Sequence, residues 1–470
     1  MTDTAGKPSR FIGIQVGAVS FIDEGVPQVL DTFQRLARVN ALSLATPTWT
    51  RGTGGRQIPG HPLPDHGAQE YDLDWKGGSY ARIHPQYYAK TCIGLNFRAP
   101  EHSDWDIFEA VIPEAQKRGM QSYAWIEESS YAQALRDIDN FPKVLEIDLW
   151  GRPSFTPCFN NPDYIYWHLG IIEDYCKSYP IDGVIWCSER PGPLDRLIHG
   201  PVQAASVVCF CEYCRARGRE RGINAERAVA GYQRLYEWNR LAAQGIRPND
   251  GYFVEFWRIL LEYPEILAWE KLWSDSQHDL FKRIYGTVKA IDQKKRVGLH
   301  IFHTISFSPW FRAEENYAEM KRYFDFLKVV MYNNCAGPRF HRFLLNLHKT
   351  LFADATPAET YPFMLKILGY DEAPFEQLPQ AGFSAEYVRR ETERAVRGVN
   401  GEIDIYPGID IDIPTGPGEK KTEPQDVREA VKAAFRGGAT GVILSRKYSE
   451  MQLKNLAAVG EALDELDRGA

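Results

Sequence analysis

The chain has 470 residues, of which 44% are hydrophobic and 25% charged, and its formal net charge at pH 7 is −7. This composition provides material for a large buried core, while the acidic balance and the lack of a long basic stretch argue against a nucleic-acid partner. No run of about 18 apolar residues occurs, and the polar stretch from Met1 to Arg10 is unlike a signal peptide. We therefore expect a cytoplasmic protein that binds neither nucleic acid nor a membrane.

Eight short apolar runs alternate with longer helical patterns, which is typical of parallel strands joined by crossover helices. Eight such units in one chain predict an α/β fold, the closed (β/α)8 or TIM barrel, rather than an open sheet. The last helical pattern, 451–468, is expected to pack on the barrel and close the ring. The predicted strands are 11–17, 41–45, 121–126, 183–187, 297–303, 326–332, 403–409 and 441–445.

The connections between these predicted strands are uneven in length. Long loops follow the second strand, at 46–71, and the fourth strand, at 188–221, and a helical pattern rich in Trp and Tyr occupies 225–292. In barrels, extended loops at the carboxyl ends of the strands build the functional site. We expect a single barrel domain over 1–470, with 188–292 as a loop, cysteine knuckle and helical insertion.

Three of the eight cysteines lie within six residues, at Cys209, Cys211 and Cys214. In a reducing compartment this density favours a metal over disulfides, and zinc typically takes four thiolate or imidazole ligands. The sequence offers Cys158, Cys176 and Cys187 as the fourth ligand. The alternative is a group of packed, reduced thiols.

This region resembles the family 42 beta-galactosidases of clan A and related uncharacterised barrel glycosidase-like proteins. Their order of motifs is matched by Cys158-Phe-Asn-Asn-Pro162, by Asp182 to Glu189 and by Cys209-Phe-Cys-Glu-Tyr-Cys-Arg215, over about 60 residues. The resemblance implies a glycoside hydrolase with Glu189 as general acid/base, and self-association as in related barrel glycosidases. It also implies a structural zinc ion held by Cys158, Cys209, Cys211 and Cys214.

Glycoside hydrolysis needs two carboxyl groups flanking the scissile bond. Glu189 follows the fourth predicted strand, where we expect burial against Trp186 and Arg190 to raise its pKa toward that of a general acid. The family carries its nucleophile as a Glu after the seventh strand and an Asn before the acid, whereas this chain has Asp410 and Ser188. The candidates for the second carboxyl group are therefore Asp410, Glu450 and the pair Glu127 and Glu128.

Further polar and aromatic residues near the predicted strand ends are candidates for binding sugar hydroxyls or stacking on sugar rings, although each could equally be a packed or satisfied rim residue. His300 and His303 are expected on one face of the fifth strand. The substrate-binding candidates are Glu127, Trp125, Trp186, Arg190, His300, His303, Tyr332, Asn333, Asn334, Asp412 and Arg446.

The sequence thus favours a glycoside hydrolase that acts on a small glycoside or oligosaccharide, with structural zinc and no organic cofactor. One alternative is a metal-dependent sugar isomerase, epimerase or lyase, in which His300 and His303 with Glu127 or Asp410 bind a divalent ion. The other is a non-catalytic carbohydrate-binding barrel, because the family's Glu after strand 7 is missing here.

Overall fold

The computed structural model describes residues 10–128 and 133–469. Its main sheet contains eight parallel strands, and most of their residues are buried on both faces, as expected when helices cover the outside. The strands are β1 (Phe11–Val16), β2 (Ala41–Ala45), β3 (Gln121–Glu127), β4 (Gly183–Cys187), β5 (Arg296–Ile301), β6 (Phe326–Val329), β7 (in two pieces, Asp404–Ile405 and Gly408–Asp410) and β8 (Gly441–Ser445).

The seventh strand closes the ring with its two pieces. The first piece pairs with β6 and the second with β8, which in turn pairs with β1. Pro407 lies between the pieces and has no N–H to give to the ladder, so the strand is interrupted there. Every strand therefore has two neighbours, and the predicted (β/α)8 barrel is confirmed.

Helices cover the outside of the barrel, and one follows each strand. The last of them buries Leu456, Val459 and Leu463, three or four residues apart, against the sheet. It begins two residues later than the predicted 451–468. The covering helices are Val26–Ala37, Ile107–Lys117, Pro162–Ser178, Glu265–Ile291, Tyr317–Met320, Ala385–Gly398, Pro424–Arg436 and Leu453–Arg468.

The predicted helical insertion is also present, as Ala225–Ala243, Tyr252–Glu262 and the first part of Glu265–Ile291. These helices build a core of their own around Trp238, Phe256 and Trp269, beside the barrel core. An antiparallel hairpin, Leu145–Ile147 with Pro153–Pro157, lies between β3 and β4 and was not predicted. Within the described ranges, no helix is both long and apolar enough to cross a membrane.

Short helices complete the connections. The α-helices among them are Ala18–Glu24, Gln133–Arg136, Pro193–Ile198, Glu212–Glu220, Pro309–Glu314, Asn333–Leu347, Pro357–Leu368 and Leu378–Ala381. The 3-10 helices are Pro85–Tyr87, Phe141–Val144, Ala204–Ser206, His303–Ser306, Phe375–Gln377 and Tyr448–Glu450.

Four aromatic rings fill the amino-terminal end of the barrel interior. Phe11 stacks on Tyr406 with 4.1 Å between ring centroids, and Phe326 lies 5.0 Å from Tyr406 and 5.8 Å from Tyr123. Gly298 on β5 leaves room for this packing, because an added Cβ would lie 2.1 Å from Cε2 of Phe326. We call these four rings the aromatic plug. The plug leaves the carboxyl ends of the strands as the place for a site.

Candidate active site and cysteine cluster

Glu189 lies two residues beyond β4, at the carboxyl end of the barrel. Its side chain is 42% exposed, although Ser188 and Arg190 on either side of it are buried. Its Oε1 lies 2.9 Å from Nε2 of His300, a buried residue of the neighbouring strand β5. The carboxylate is thus open to a ligand on one side and held by an imidazole on the other.

The pKa of Glu189 is lowered, not raised as the sequence suggested. Loss of hydration acts to raise the pKa of this carboxyl, but the hydrogen bond with His300 and the positive charges of Arg339 and Lys328 outweigh it. Glu189 is therefore ionised at neutral pH. A carboxylate in this state can act as a nucleophile or as a base.

Glu127 is the second carboxyl group at the mouth of the barrel. It ends β3 and pairs in register with Cys187 at the end of β4, so it lies on the strand next to Glu189. Its Oε2 accepts hydrogen bonds from the hydroxyls of Thr50, at 2.6 Å, and Thr53, at 2.5 Å. Neighbouring strand ends thus present two carboxyl groups to one space.

The pKa of Glu127 is raised, in the opposite direction to that of Glu189. Burial is the main cause, and the negative charge of Glu189 adds to it, while the two threonine hydroxyls and Arg446 oppose it. Two carboxyl groups whose surroundings drive their pKa values apart are the usual arrangement of an acid paired with a base or nucleophile. The pair can therefore provide both proton donation and a negative charge.

The glycine-rich segment after β2 is fixed beside this pair. The ammonium group of Lys447 donates hydrogen bonds to the carbonyls of Arg51, at 2.5 Å, and of Gly54, at 3.2 Å. Gly54 also lies against the indole of Trp75, where an added Cβ would come within 2.6 Å of the ring. These contacts place Thr50 and Thr53 over Glu127.

Lys328 lies beneath the mouth and was not among the predicted site residues. Its side chain is 0% exposed, and its Nζ donates to Oε1 of Gln15 at 2.5 Å, to the hydroxyl of Tyr332 at 3.1 Å and to Nδ1 of His300 at 3.3 Å. Burial lowers the pKa of Lys328 to about 7 in spite of the nearby carboxylates. A lysine inside the otherwise apolar run 326–331 was the sequence signal for it.

Asp410 and Glu450 do not present free carboxylates at the mouth. Buried Asp410 accepts hydrogen bonds from the amides of Cys335 and Ile413 and from the hydroxyl of Thr422, at 3.1–3.2 Å. Its carboxylate therefore fixes the loop after β7. The structure gives it a structural environment, not that of the predicted nucleophile.

Glu450 and Arg446, near the end of β8, satisfy each other. Both oxygens of Glu450 accept from the guanidinium of Arg446, at 2.8 and 3.0 Å, and the glutamate is buried. Asp412 adopts a left-handed backbone (φ 60°) and accepts from the amide of Gln452 and from the side-chain amide of Asn455, each at 2.7 Å. These three predicted site residues thus hold the loops after β7 and β8 in place.

The four cysteines Cys158, Cys209, Cys211 and Cys214 come together as the sequence suggested. All four are buried, and their sulfur atoms lie within 4.8 Å of one another, as tetrahedral coordination by four thiolates requires. The amide and the side-chain N–H of Asn160 point at the sulfurs of Cys158 and Cys214, each at 3.3 Å. Such N–H groups stabilise metal-bound thiolates, so the residues present fit a zinc ion.

Among the described residues, only one other group of three or more potential ligands is this compact. It consists of Cys187, Glu189 and His300. His303 and Asp410 are not part of it, so the divalent-ion site predicted from His300 and His303 with Glu127 or Asp410 does not form. Lys328, with its ammonium group against His300, adds a positive charge beside this second group.

No protein-family model and no curated protein matches the chain. Among solved structures it is similar to the beta-galactosidase from the psychrophilic Marinomonas ef1, with 9% identity over 98% of this chain and 60% of that one, and a TM-score of 0.54. It is also similar to the polyextremophilic beta-galactosidase from the Antarctic haloarchaeon Halorubrum lacusprofundi, with 13% identity over 97% of this chain and 58% of that one, and a TM-score of 0.53. The chain thus shares the fold of these two beta-galactosidases. The chain spans about three fifths of each of these two structures, and the likeness at these identities concerns the fold alone.

Trp125 and Trp186, two of the predicted sugar-binding residues, are both buried. Trp186 is 1% exposed and faces His168 of the covering helix Pro162–Ser178, with 4.6 Å between ring centroids. It lies on the outer face because side chains alternate along a strand and its neighbour Cys187 points into the barrel. Trp125 points inward but lies under Lys328, with Nζ 4.5 Å from the ring centroid. Neither ring is open to a sugar.

Arg190 is also removed from the set of sugar binders. It is 1% exposed, and its guanidinium bridges the buried carboxylates of Glu128 and Glu146 at 2.7 and 2.8 Å. This network joins the end of β3, the hairpin and the loop after β4. Arg190 is therefore a structural anchor and not a neighbour of the Glu189 carboxylate.

His303, Asn333 and Asn334 lie beyond their strands. His303 belongs to the 3-10 turn after β5, and its two ring nitrogens contact Arg339 at 2.9 Å and Tyr387 at 3.2 Å. The shared strand face predicted for His300 and His303 was wrong, since their odd spacing opposes it as well. Asn333 and Asn334 begin the helix Asn333–Leu347 and are buried there. Tyr332 differs from these residues. Its hydroxyl accepts a hydrogen bond from Lys328, which also contacts His300.

Proposed function

We propose that this protein is a glycoside hydrolase acting on a small glycoside or oligosaccharide, with Glu127 and Glu189 as its two carboxyl groups. The observation that carries this proposal is the opposite shift of their pKa values on adjacent strand ends of a glycosidase-type barrel. The segment after β2 supports a small substrate, because it is held over Glu127 and covers part of the mouth.

In this mechanism Glu127, whose pKa is raised mainly by burial, donates its proton to the glycosidic oxygen as the bond to the anomeric carbon breaks. Glu189, held ionised, stabilises the developing positive charge on the sugar. It then either takes a proton from the attacking water or forms a bond to the anomeric carbon. In the second case water, which gives its proton to the now ionised Glu127, breaks that bond and releases the sugar. These roles revise the sequence-based assignment, in which Glu189 supplied the proton.

His300 supports Glu189 in this scheme. Its hydrogen bond to Oε1 favours the ionised carboxylate and leaves the exposed side of the carboxylate free for the sugar. Arg190 pairs with Glu128 and Glu146, which leaves the Glu189 carboxylate without Arg190 as an ionic partner.

The test is the turnover of a panel of aryl α- and β-glycosides by the wild type and by Glu127→Gln and Glu189→Gln. We expect each substitution to lower kcat/KM by about 10³-fold or more, because each removes one half of the chemistry. Asp410→Asn is the matched control: its carboxylate is occupied by three donors, so its main effect should be on stability.

Sodium azide separates the two roles. Azide should restore turnover to Glu189→Ala, where it replaces the lost negative group. Glu127→Ala should instead keep activity only on substrates whose leaving group needs no proton. Full activity in both Gln variants, or collapse in Asp410→Asn with an intact fold, contradicts the assignment. Saccharide binding without turnover by the wild type points to the non-catalytic barrel.

One observation favours a second candidate, a metal-dependent sugar isomerase, epimerase or lyase: the close approach of Cys187, Glu189 and His300. Turnover of aldoses or ketoses that needs an added divalent ion and stops with a chelator would support it. Glycoside hydrolysis that continues in the chelator would count against it.

We also propose that Cys158, Cys209, Cys211 and Cys214 bind a structural zinc ion. The mutual proximity of the sulfurs, their burial and the N–H groups of Asn160 support it. The ion would join the segment before the helix Pro162–Ser178 to the loop after β4. It would thus hold the chain on both sides of β4, the strand that carries Glu189, and take no part in the reaction.

A further inference from the structure

We propose that Lys328 is a positioning residue that determines which nitrogen of His300 carries the proton, and thereby orients the imidazole N–H toward Glu189. The importance of this for turnover rests on the proposed function of Glu189. The statement about His300 itself can be tested without any substrate.

The ammonium group of Lys328 fixes the direction of the hydrogen bonds around it. A lysine ammonium group has three N–H donors and no acceptor. Its three polar neighbours are Oε1 of Gln15 at 2.5 Å, the hydroxyl of Tyr332 at 3.1 Å and Nδ1 of His300 at 3.3 Å. When Lys328 is in its ammonium form, each N–H therefore has one partner, and Nδ1 of His300 is the acceptor.

This direction determines the tautomer of His300. A neutral histidine has one nitrogen with a proton and one with a lone pair. Because Nδ1 of His300 accepts from Lys328, the proton is on Nε2. Nε2 lies 2.9 Å from Oε1 of Glu189, so this tautomer donates a hydrogen bond to the carboxylate. The other tautomer would place a lone pair against the carboxylate.

Lys328 itself is held firmly. Gln15, which accepts from Lys328, accepts a second hydrogen bond from the hydroxyl of Ser445 at 2.6 Å. The indole of Trp125 lies on another side of the ammonium group, 4.5 Å away. Gly408 provides space near the lysine stem, since an added Cβ would lie 3.2 Å from Cε of Lys328. Residues of β1, β3, β7 and β8 thus surround the donor.

The same geometry argues against a direct reaction of the lysine with substrate. Its side chain is 0% exposed, and all three N–H groups are engaged within the protein. A nucleophilic amine needs a free lone pair and a path to the substrate. Lys328 therefore acts through His300.

The primary experiment is NMR of the full-length protein labelled with ¹⁵N-histidine. The His300 signals are identified by their loss in His300→Gln. In the wild type, Nε2 should appear protonated and Nδ1 unprotonated. In Lys328→Met, which keeps the chain length but removes the donor, we expect loss of this single tautomer. A protonated Nδ1 in the wild type overturns the proposal even if Lys328→Met fails to fold.

A double-mutant cycle tests the route of the effect. Lys328→Met should lower kcat by about 10- to 100-fold with a smaller change in KM, since Lys328 does not touch substrate. In His300→Gln the side-chain amide can donate to Glu189 without a lysine. Removal of Lys328 in that background should therefore change kcat by less than about threefold.

Other results of the cycle contradict the proposal. An equally large loss of kcat in the His300→Gln background would show that Lys328 does not act through His300. An unchanged tautomer in a folded Lys328→Met would overturn the central claim. If the wild type shows the expected tautomer but hydrolyses no glycoside, the proposed function fails and the assignment of Lys328 to His300 stands.

Discussion

Glu127 and Glu189 carry the same side chain, yet their surroundings move their pKa values in opposite directions. Glu127 is partly buried and accepts hydrogen bonds from two threonine hydroxyls, whereas Glu189 is half-open and receives a hydrogen bond from His300. The difference shows that the chemistry of a strand-end carboxyl depends on the neighbours that fold around it. It also gives the proposed reaction a defined pH dependence.

We expect a bell-shaped dependence of kcat/KM on pH. The acid limb reports protonation of Glu189 and lies below the usual range of a glutamate, and the alkaline limb reports loss of the proton from Glu127 and lies above it. In Thr50→Val the alkaline limb should move to higher pH, because the lost hydroxyl had stabilised the ionised form. A control is Thr440→Val, an exposed position paired with Asp404. A shift to lower pH in Thr50→Val would contradict this account.

Part of this site could be predicted from the sequence. Glu189 directly follows a clear strand, and the spacing of Cys209, Cys211 and Cys214 indicates a metal cluster by itself. The sequence offers Glu127 as one candidate among several and Lys328 as an isolated lysine in an apolar run. Their surroundings could not be predicted, since these depend on contacts between residues far apart in the chain, such as Thr50 with Glu127. The outward direction of Trp186 was available from strand alternation and was missed.

At the scale of elements, the strands formed where β-branched and apolar residues cluster, and most predicted bounds agree within a few residues. There are two exceptions. Pro407 divides β7, and β6 ends at Val329 because the chain turns toward the helix Asn333–Leu347. The hairpin between β3 and β4 escaped prediction because its strands are short and contain two prolines. Gly298 on β5 is explained by packing, because a side chain at this position would overlap the ring of Phe326.

Gly298→Ala should destabilise the protein by about 1–3 kcal/mol, because the new methyl group would overlap the ring of Phe326 in the aromatic plug. Urea unfolding followed by circular dichroism measures this loss. Gly286→Ala is the matched control: this helical glycine has no atom within 4 Å of an added Cβ, so alanine should stabilise by roughly 0.5–1 kcal/mol. Equal effects at both positions would refute the packing argument.

The cysteine cluster offers another test at this scale. If it holds zinc, elemental analysis should find about one zinc per chain, and Cys211→Ala should remove the metal and lower the free energy of unfolding by about 4 kcal/mol or more. Cys176→Ala is the control, since this cysteine is buried in a covering helix outside the cluster. Metal-free wild-type protein, or a Cys211→Ala variant as stable as Cys176→Ala, would disprove the zinc site.

At the scale of the whole molecule, the insertion meets the barrel loops through buried carboxyl groups. Asp195 and Glu270 are nearly inaccessible, and burial is the main cause that raises the pKa of Asp195 to about 7 and also raises that of Glu270. The same effect, with the charges of these two neighbours, raises the pKa of Glu314. The contact between the insertion and the barrel is therefore most stable when these carboxyl groups are protonated.

Stability should consequently fall as the pH rises. A carboxyl whose folded pKa exceeds its unfolded value, here about 7 against roughly 4, stabilises the fold fully below the unfolded pKa and loses this contribution as the pH passes 7. We expect the free energy of unfolding to drop by roughly 2 kcal/mol or more between pH 5 and pH 8. Asp195→Asn should flatten this slope, and Asp250→Asn, at an exposed position, should leave it unchanged. Equal slopes in wild type and Asp195→Asn would disprove the explanation.

The barrel itself was predictable, because eight strand–helix units in sequence leave few other closed arrangements. The aromatic plug at its amino-terminal end was not predictable, because Phe11, Tyr123, Phe326 and Tyr406 come from four separate strands. These rings close the amino-terminal end of the barrel, so the interior can be reached only from the carboxyl ends of the strands. If the proposed hydrolysis takes place, substrate, water and product would all pass the rim at the carboxyl ends of the strands. A sugar that leaves slowly would then obstruct the next turnover.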